Sequence, residues 1–265
     1  MEYLSLAQSL ARSAGELILS KMGEGILTEE KSSSFDVVTE VDKESELLIR
    51  KGIADHYPDH RFLGEEETYL NGSSLEEIVA DAQSKPYVWI VDPIDGTSNF
   101  VQGIPGFTVS IALACEGEML VGVVYDPCAD EMFWAVKDQG AFLNGNRIRV
   151  SDKEGLNTSV IATGFPSSME ARLAVYGGLG KLIHECRTIR SLGSAARHLA
   201  YVGASRLDGF WENGLKAWDV AAGALIVKEA GGQVSDTAGN PYSLEVTDIA
   251  ASNARIHAPL LDCFK

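Results

Sequence analysis

Two carboxylates follow a run of apolar residues and are placed to bind a metal ion. Asp92 and Asp95 lie three residues apart, and the Ile94 carbonyl lies between them. Because Pro93 fixes its own φ and favours an extended Asp92, the strand predicted over Tyr87–Val91 ends in a stiff corner. Carboxylate and carbonyl oxygens are hard ligands of the kind that Mg²⁺ or Ca²⁺ prefers. The stretch therefore indicates a divalent-cation site.

The residues after this corner add groups that suit a phosphate. Gly96 lets the backbone approach a bound group closely, and Thr97 contributes a hydroxyl. Asp95, Gly96 and Thr97 also have the pattern of a helix start, where exposed N–H groups attract phosphate. An ordinary turn with a capping aspartate is the alternative, since turns favour the same residue types.

Three further acidic residues could each belong to a functional site or have an ordinary structural role. Asp219 lies in a predicted helix, Ala217–Ala230, that is apolar all round, so its carboxylate must be capping, paired or metal-bound. Glu65 opens a run of three glutamates, which taken alone is typical of a solvated surface. Asp42 belongs to a polar cluster that by itself indicates only the start of a helix.

The composition limits the partners that the protein can have. The chain has 265 residues, enough for one large domain or two small ones, and 45% of them are hydrophobic. Its formal net charge of −16 makes nucleic acid and anionic membranes poor partners. An acidic protein that binds phosphate must reverse its local field, and bound divalent cations are the usual means.

The cysteines and the N-terminus favour a soluble, cytoplasmic protein. The four cysteines are widely spaced and form no Cys-x-x-Cys pair, which indicates free thiols instead of a zinc or redox site. Glu2, Arg12 and Glu16 interrupt the first apolar residues, so no signal peptide is expected. No apolar run approaches the length of a membrane span.

The periodicity of the apolar residues predicts the elements that position these groups. Residues 2 to about 22 form an amphipathic helix, and a second helix begins at Asp42. Short β-rich runs between Phe107 and Val150 predict a mostly antiparallel sheet. Within it, Asn144-Gly145 is a strong hairpin signal.

The C-terminal part of the chain has a different pattern. From about residue 158, short strands alternate with helices, as in an α/β arrangement. No internal repeat or low-complexity linker separates the two parts. We therefore expect approximate halves of residues 1–150 and 151–265 to pack as one domain, with the site between them.

Three motifs together resemble those of the inositol monophosphatase family. They are Gly64-Glu65-Glu66, Asp92-Pro93-Ile94-Asp95-Gly96-Thr97 and Trp218-Asp219-Val220-Ala221-Ala222-Gly223. Shorter matches extend the resemblance over nearly the whole chain, at Lys31-Ser32-Ser33, Asp36-Val37-Val38-Thr39, Val41-Asp42, Gly193-Ser194-Ala195-Ala196 and Glu212. Lys216 and Thr163-Gly164-Phe165-Pro166 are more similar to bacterial than to animal members.

This resemblance implies both a fold and an activity. The fold is a layered αβαβα sandwich of the α/β type, and the activity is lithium-sensitive hydrolysis of phosphate monoesters with two to three Mg²⁺ ions. A homodimer and a small phosphorylated polyol or sugar substrate are also implied, with myo-inositol-1-phosphate as the first candidate. A fructose-1,6-bisphosphatase, a histidinol-phosphatase and a nucleotide 3′-phosphatase are alternatives within the same superfamily. A non-catalytic regulatory protein that kept the fold is an alternative from another class.

The resemblance also implies roles for individual residues. The implied metal ligands are Glu65, Asp92, the Ile94 carbonyl, Asp95 and Asp219. The implied catalytic residues are Glu65, Thr97 and Asp42, which position and activate a water, and Lys31, which supplies positive charge from a Ser-rich loop. The implied substrate contacts are Asp95, Gly96, Thr97, Gly193, Ser194, Ala195, Glu212 and Lys216.

Overall fold

β-Sheets form the framework of the computed structural model, which describes residues 2–23, 28–30, 37–71 and 86–265. Lys31 and Asp36 lie outside these described residues, so what the sequence suggests for them stays a prediction. A two-stranded sheet pairs β1 (Thr28–Glu30) with β2 (Val37–Thr39).

Two larger sheets contain the other described strands. The seven-stranded sheet contains, in spatial order, β3 (Arg61–Gly64), β4 (Tyr87–Asp95), β5 (Thr108–Cys115), β6 (Glu118–Asp126), β7 (Glu131–Val136), β8 (Gly140–Leu143) and β9 (Asn146–Ile148). The five-stranded sheet contains β10 (Val160–Thr163), β11 (Thr188–Arg190), β12 (Gly209–Asn213), β13 (Gln233–Ser235) and β14 (Asp248–Ser252). Its spatial order is β11-β10-β12-β14-β13.

The helices of the described residues cover both faces of these sheets. They are α1 (Glu2–Lys21), α2 (Glu40–His56), α3 (Glu65–Asn71), α4 (Thr97–Val101), α5 (Met169–Glu185), α6 (Ala195–Gly203), α7 (Ala217–Glu229) and α8 (His257–Asp262). Among them, no helix combines the length and the apolar character needed to cross a bilayer. All four cysteines are free thiols, as the sequence predicts.

The helices and sheets stack in five layers. α1 and α2 cover one face of the seven-stranded sheet, where Ile18 and Ile49 share a buried cluster with Trp89. α6 and α7 lie between the two large sheets and contribute to the clusters on both sides. α5 and α8 cover the outer face of the five-stranded sheet, where Leu182 and Leu260 join one cluster. The expected αβαβα sandwich is confirmed, and α7 is buried all round because both sheets contact it.

The predicted antiparallel region is confirmed. Each strand from β5 to β8 pairs antiparallel with the next one along the chain. Asn144 and Gly145 form the turn between β8 and β9, with φ values of 48° and 81°. A two-residue hairpin turn of type I′ needs positive φ at both positions, which asparagine and glycine tolerate best.

One helix begins earlier than the sequence predicts, and another begins at a run of acidic residues for which the sequence predicts no helix. α2 begins at Glu40, before Asp42, because Thr39 is the N-cap and the Asp42 carboxylate completes a capping box with it. The run that opens at Glu65, which alone suggests a solvated surface, forms the first turn of α3. Acidic residues are favourable at that position because the helix dipole is positive there.

Acid is expected to destabilise this fold through His198. The imidazole is fully buried, and its Nε2 accepts the Leu192 N–H at 2.9 Å. Burial and the nearby Arg197 lower the pKa of His198 from 6.5 to about 3. Between these pKa values the unfolded chain binds a proton that the folded chain does not, so the free energy of unfolding falls as pH falls. The expected slope is about 1.4 kcal/mol per pH unit from this group.

Denaturant titrations at pH 7.5 and pH 5.0 measure this effect. The His198→Gln variant is the control, because it removes the imidazole and keeps an acceptor for the Leu192 N–H. We expect wild type to lose more stability than the variant between the two pH values. Equal losses would mean that His198 does not set the acid sensitivity.

Candidate active site

The end of β4 turns Asp92 and Asp95 toward the same side of the sheet. Asp92 pairs with Ser110 and Asp95 pairs with Thr108, so three steps along β4 match two steps along β5. The additional residue is a β-bulge. Side chains three apart in a regular strand point to opposite faces, whereas the bulge returns both carboxylates to one face. The corner expected from the sequence is therefore a bulge within β4.

Asp95 joins this bulge to the start of α6. Its Oδ2 accepts hydrogen bonds from Ser194 Oγ at 2.7 Å and from the Ala196 N–H at 2.6 Å. The Ala195 N–H lies 3.3 Å from Oδ1. Burial raises the pKa of Asp95 to about 6, and the negative charge of Glu65 adds to the rise.

Two glycines let these segments approach each other closely. Gly96 has a φ of 98°, and a Cβ at this position would lie 2.9 Å from the Gly193 carbonyl oxygen. Gly193 has a φ of 85°, and a Cβ there would lie 2.7 Å from the Asn99 side-chain amide. Asn99 in turn donates to the Leu192 carbonyl at 2.8 Å. A larger residue at either glycine would push the segment before α6 away from β4.

A buried carboxylate and a hydroxyl meet beside the bulge. Thr97 Oγ1 lies 3.0 Å from Asp42 Oδ1 and 3.0 Å from the Ile94 carbonyl oxygen. Asp42 has no exposed surface, and its other oxygen accepts the Thr39 N–H at 2.9 Å. The Asp42 carboxylate is therefore held in place and can accept the proton of the Thr97 hydroxyl.

The other two acidic residues of interest come from helix starts. Glu65 is the first residue of α3 and is partly buried. Asp219 lies in the first turn of α7, where its Oδ2 accepts the Lys216 N–H at 2.6 Å. The Asp92 side chain lies close to that of Asp219.

Neighbouring negative charges raise the pKa values of two further carboxylates. The pKa of Asp219 is raised by burial and by the charges of Asp95 and Glu65. The pKa of Glu212 on β12 is also raised, first by burial and then by Asp219 and Asp95. Carboxylates from distant parts of the sequence therefore lie close enough inside the protein for their negative charges to repel.

The donor set fits a divalent cation. Among the described residues, no three His, Cys, Asp or Glu side chains converge as a ready group of metal ligands. Asp95 is turned toward Ser194 and Ala196, and Asp219 toward the Lys216 N–H. Buried carboxylates that repel one another are nevertheless stabilised by a bound cation, and oxygen donors of this kind suit Mg²⁺.

The remaining residues expected to contact substrate lie around this cluster. Glu212 is buried, and a Cβ at Gly164 would lie 2.1 Å from its carboxylate, so only glycine leaves room there. Lys216 is exposed at the N-cap of α7. Lys31, expected to close over the site, lies outside the described residues.

Three residues of this region have contacts that the sequence analysis does not predict. Asn99 donates to the Leu192 carbonyl, and His198 accepts the Leu192 N–H. Glu46 is buried and accepts the N–H groups of Glu66 and Glu67, each at 2.8 Å. The only sequence signal for Glu46 is its position four residues after Asp42, which places both on one face of a helix.

Comparison with protein families gives one match over nearly the whole chain. A model described as the inositol monophosphatase family matches residues 1–263. A curated relative from Escherichia coli (strain K12), named Nus factor SuhB, is 42% identical over 261 residues. That match covers 97% of this chain and 94% of the relative.

Comparison with solved structures gives matches over the same extent. Extragenic suppressor protein suhB from Bartonella henselae has a TM-score of 0.90 at 36% identity, over 100% of this chain and 99% of that one. The Thermotoga maritima IMPase has a TM-score of 0.88 at 36% identity, over 100% and 97%. A structure of SaIMPase-II with inositol monophosphate bound has a TM-score of 0.81 at 28% identity, over 99% and 93%.

Proposed function

The chain belongs to the inositol monophosphatase family, and from this premise we propose that it is a Mg²⁺-dependent phosphomonoesterase. We propose myo-inositol-1-phosphate, or a closely related polyol or sugar phosphate, as its substrate. The observation that supports this most is the Thr97 hydroxyl beside the buried Asp42, next to a cluster of mutually repelling carboxylates. A hydroxyl that is hydrogen-bonded to a carboxylate base, beside a cation site, can remove a proton from an attacking water.

The proposed cation ligands come from three places in the fold. Glu65, Asp92 and the Ile94 carbonyl would hold one ion, and Asp92, Asp95 and Asp219 would hold a second. A third, weaker ion would lie near Glu65. When bound, Mg²⁺ supplies positive charge against the phosphate dianion and lowers the pKa of a coordinated water.

Protein groups would perform the other parts of the reaction. Thr97 orients the attacking water through its hydroxyl. Asp42 accepts the Thr97 proton while Thr97 takes a proton from the water, and the departing alkoxide takes a proton from solvent. Glu65 holds the same water from the start of α3. The backbone N–H groups of Gly96 and Thr97 would bind phosphate oxygens, and Lys31 would supply further positive charge.

The substrate hydroxyls would be recognised on the opposite side of the cluster. Glu212 supplies a buried acceptor, and the segment Gly193–Ala195 lies against Asp95 and Gly96 at the end of β4. Because Ser194 Oγ and the Ala195 N–H already contact Asp95, their first effect is to position that carboxylate. Lys216 is exposed and its backbone N–H binds the Asp219 carboxylate, so its side chain would contact a substrate or a second phosphate.

Mg²⁺-dependent phosphate release across a panel of esters tests this proposal. The panel contains inositol-1-phosphate, fructose-1,6-bisphosphate, histidinol phosphate and 3′-phosphoadenosine 5′-phosphate, each with Mg²⁺ and with EDTA. We expect the highest kcat/KM for inositol-1-phosphate and no release in EDTA. A higher value for another ester would keep the chemistry and change the substrate. Release that survives EDTA would contradict the Mg²⁺ requirement.

A non-catalytic regulatory role is the second candidate. It is favoured by one finding, that the curated relative at 42% identity is named a Nus factor and not a phosphatase. Failure to release phosphate from every ester of the panel would make this the leading function. The homodimer implied by the family resemblance and the cytoplasmic location favoured by the cysteines and the N-terminus stay predictions, and light scattering tests the first of them.

A further inference from the structure

Glu46 lies on α2 and binds the beginning of α3. Its carboxylate is buried, with 5% of the residue exposed. One oxygen accepts the Glu66 N–H and the other accepts the Glu67 N–H, both at 2.8 Å. The first N–H groups of a helix have no partner within the helix, so this carboxylate satisfies two of them from outside.

The junction between β3 and α3 is shaped around this carboxylate. Gly64 is the last residue of β3, and a Cβ at this position would lie 2.4 Å from Glu46 Oε2. Only glycine therefore lets the chain pass close enough for both hydrogen bonds. Glu65 follows Gly64 directly, so the same contacts determine where the first residue of α3 lies.

One face of α2 contacts both parts of the site. Asp42 binds the Thr97 hydroxyl, and Glu46, one helical turn later, binds the first turn of α3. Four residues of an α-helix span about 6 Å, and a helix is stiff over that length. α2 is therefore a fixed spacer between Thr97 and Glu65, the two residues proposed to hold the attacking water.

We infer that Glu46 is a positioning residue: it fixes Glu65 at a set distance from Thr97 by binding the first turn of α3. This inference rests on the proposed function, because Glu65 matters only if the site binds a cation and a water. A neutral residue at position 46 would leave α3 able to form and would leave Glu65 less well placed. Loss of cation affinity is therefore the expected consequence.

The Glu46→Gln variant tests the inference. It keeps the shape of the side chain but turns an amide group toward one of the two N–H groups. We expect Mg²⁺ to bind about 10- to 100-fold more weakly by calorimetry, in line with residues that orient metal ligands. We also expect lower kcat at saturating substrate, with circular dichroism unchanged. The Glu46→Asp variant, which keeps the charge and shortens its reach, should fall between wild type and Glu46→Gln.

Arg50→Gln is the matched control. Arg50 lies four residues after Glu46 and pairs with the Glu67 carboxylate at 3.0 Å, so it also joins α2 to α3. It contacts no N–H group of the first turn, and its side chain is half exposed. We expect Mg²⁺ binding by Arg50→Gln to match that of wild type. Equal weakening in both variants would show a general loosening of α3 and would overturn the inference.

The outcomes separate this inference from the proposed function. An active wild type with unchanged Mg²⁺ binding and kcat in Glu46→Gln would refute the inference and leave the function standing. A wild type that binds Mg²⁺ but releases no phosphate would refute the function, and Mg²⁺ binding alone would then decide the role of Glu46. A wild type that binds no Mg²⁺ would refute both.

Discussion

Asp95→Asn is expected to lower kcat by about 10³-fold or more while the protein stays folded. The substitution removes one negative charge from the proposed cation ligands. The asparagine carbonyl can still accept from Ser194 Oγ and the Ala196 N–H, which lie 2.7 and 2.6 Å from Asp95 Oδ2. Because burial raises the pKa of Asp95 to about 6, a neutral group there also relieves the cost of burying charge.

Phosphate release at saturating Mg²⁺ measures this effect, and thermal unfolding without Mg²⁺ checks the fold. Asp262→Asn is the control, since Asp262 is an exposed aspartate that pairs with Lys265 at the C-terminal end of the chain. We expect the control to retain wild-type kcat, and Asp95→Asn to unfold at or above the wild-type temperature. Near-normal turnover by Asp95→Asn would remove Asp95 from the proposed cation ligands.

Thr97→Val is expected to lower kcat by about 10²- to 10⁴-fold, the range for loss of an acid–base group. Valine has nearly the shape of threonine but lacks the hydroxyl that lies 3.0 Å from Asp42 Oδ1. Without it, the attacking water loses its link to the only base proposed for its proton. Since Thr97 is not a proposed cation ligand through its side chain, Mg²⁺ binding by calorimetry should change little.

Thr97→Ser is the matched variant, because it restores the hydroxyl. We expect it to recover most of the activity that Thr97→Val loses. Asp42→Asn alone and together with Thr97→Val completes a double-mutant cycle. If the two residues act as one unit, the double variant should be no slower than the slower single variant. Additive losses would show that Thr97 and Asp42 act independently.

Most of the local structure follows from the residue types and their near neighbours. Asn144-Gly145 predicted a hairpin because few residues adopt positive φ, and the apolar residues of 217–230 predicted a buried helix because no face of it is polar. The residue types at Asp92, Asp95 and Asp219 indicated cation chemistry, since oxygen donors suit Mg²⁺. These properties depend on a residue and its near neighbours, and the sequence contains them directly.

How those residues come together depends on the packing of distant segments. The bulge that turns Asp92 and Asp95 to one face is a mismatch between β4 and β5, and neither strand alone contains it. Asp95 binds Ser194 across 99 residues of sequence, and Glu46 binds the start of α3 across 20. A buried carboxylate no longer accepts hydrogen bonds from water, so it needs donors from the protein segments that pack against it. Which donors it finds depends on how distant segments pack, and residue types and spacing do not contain that information.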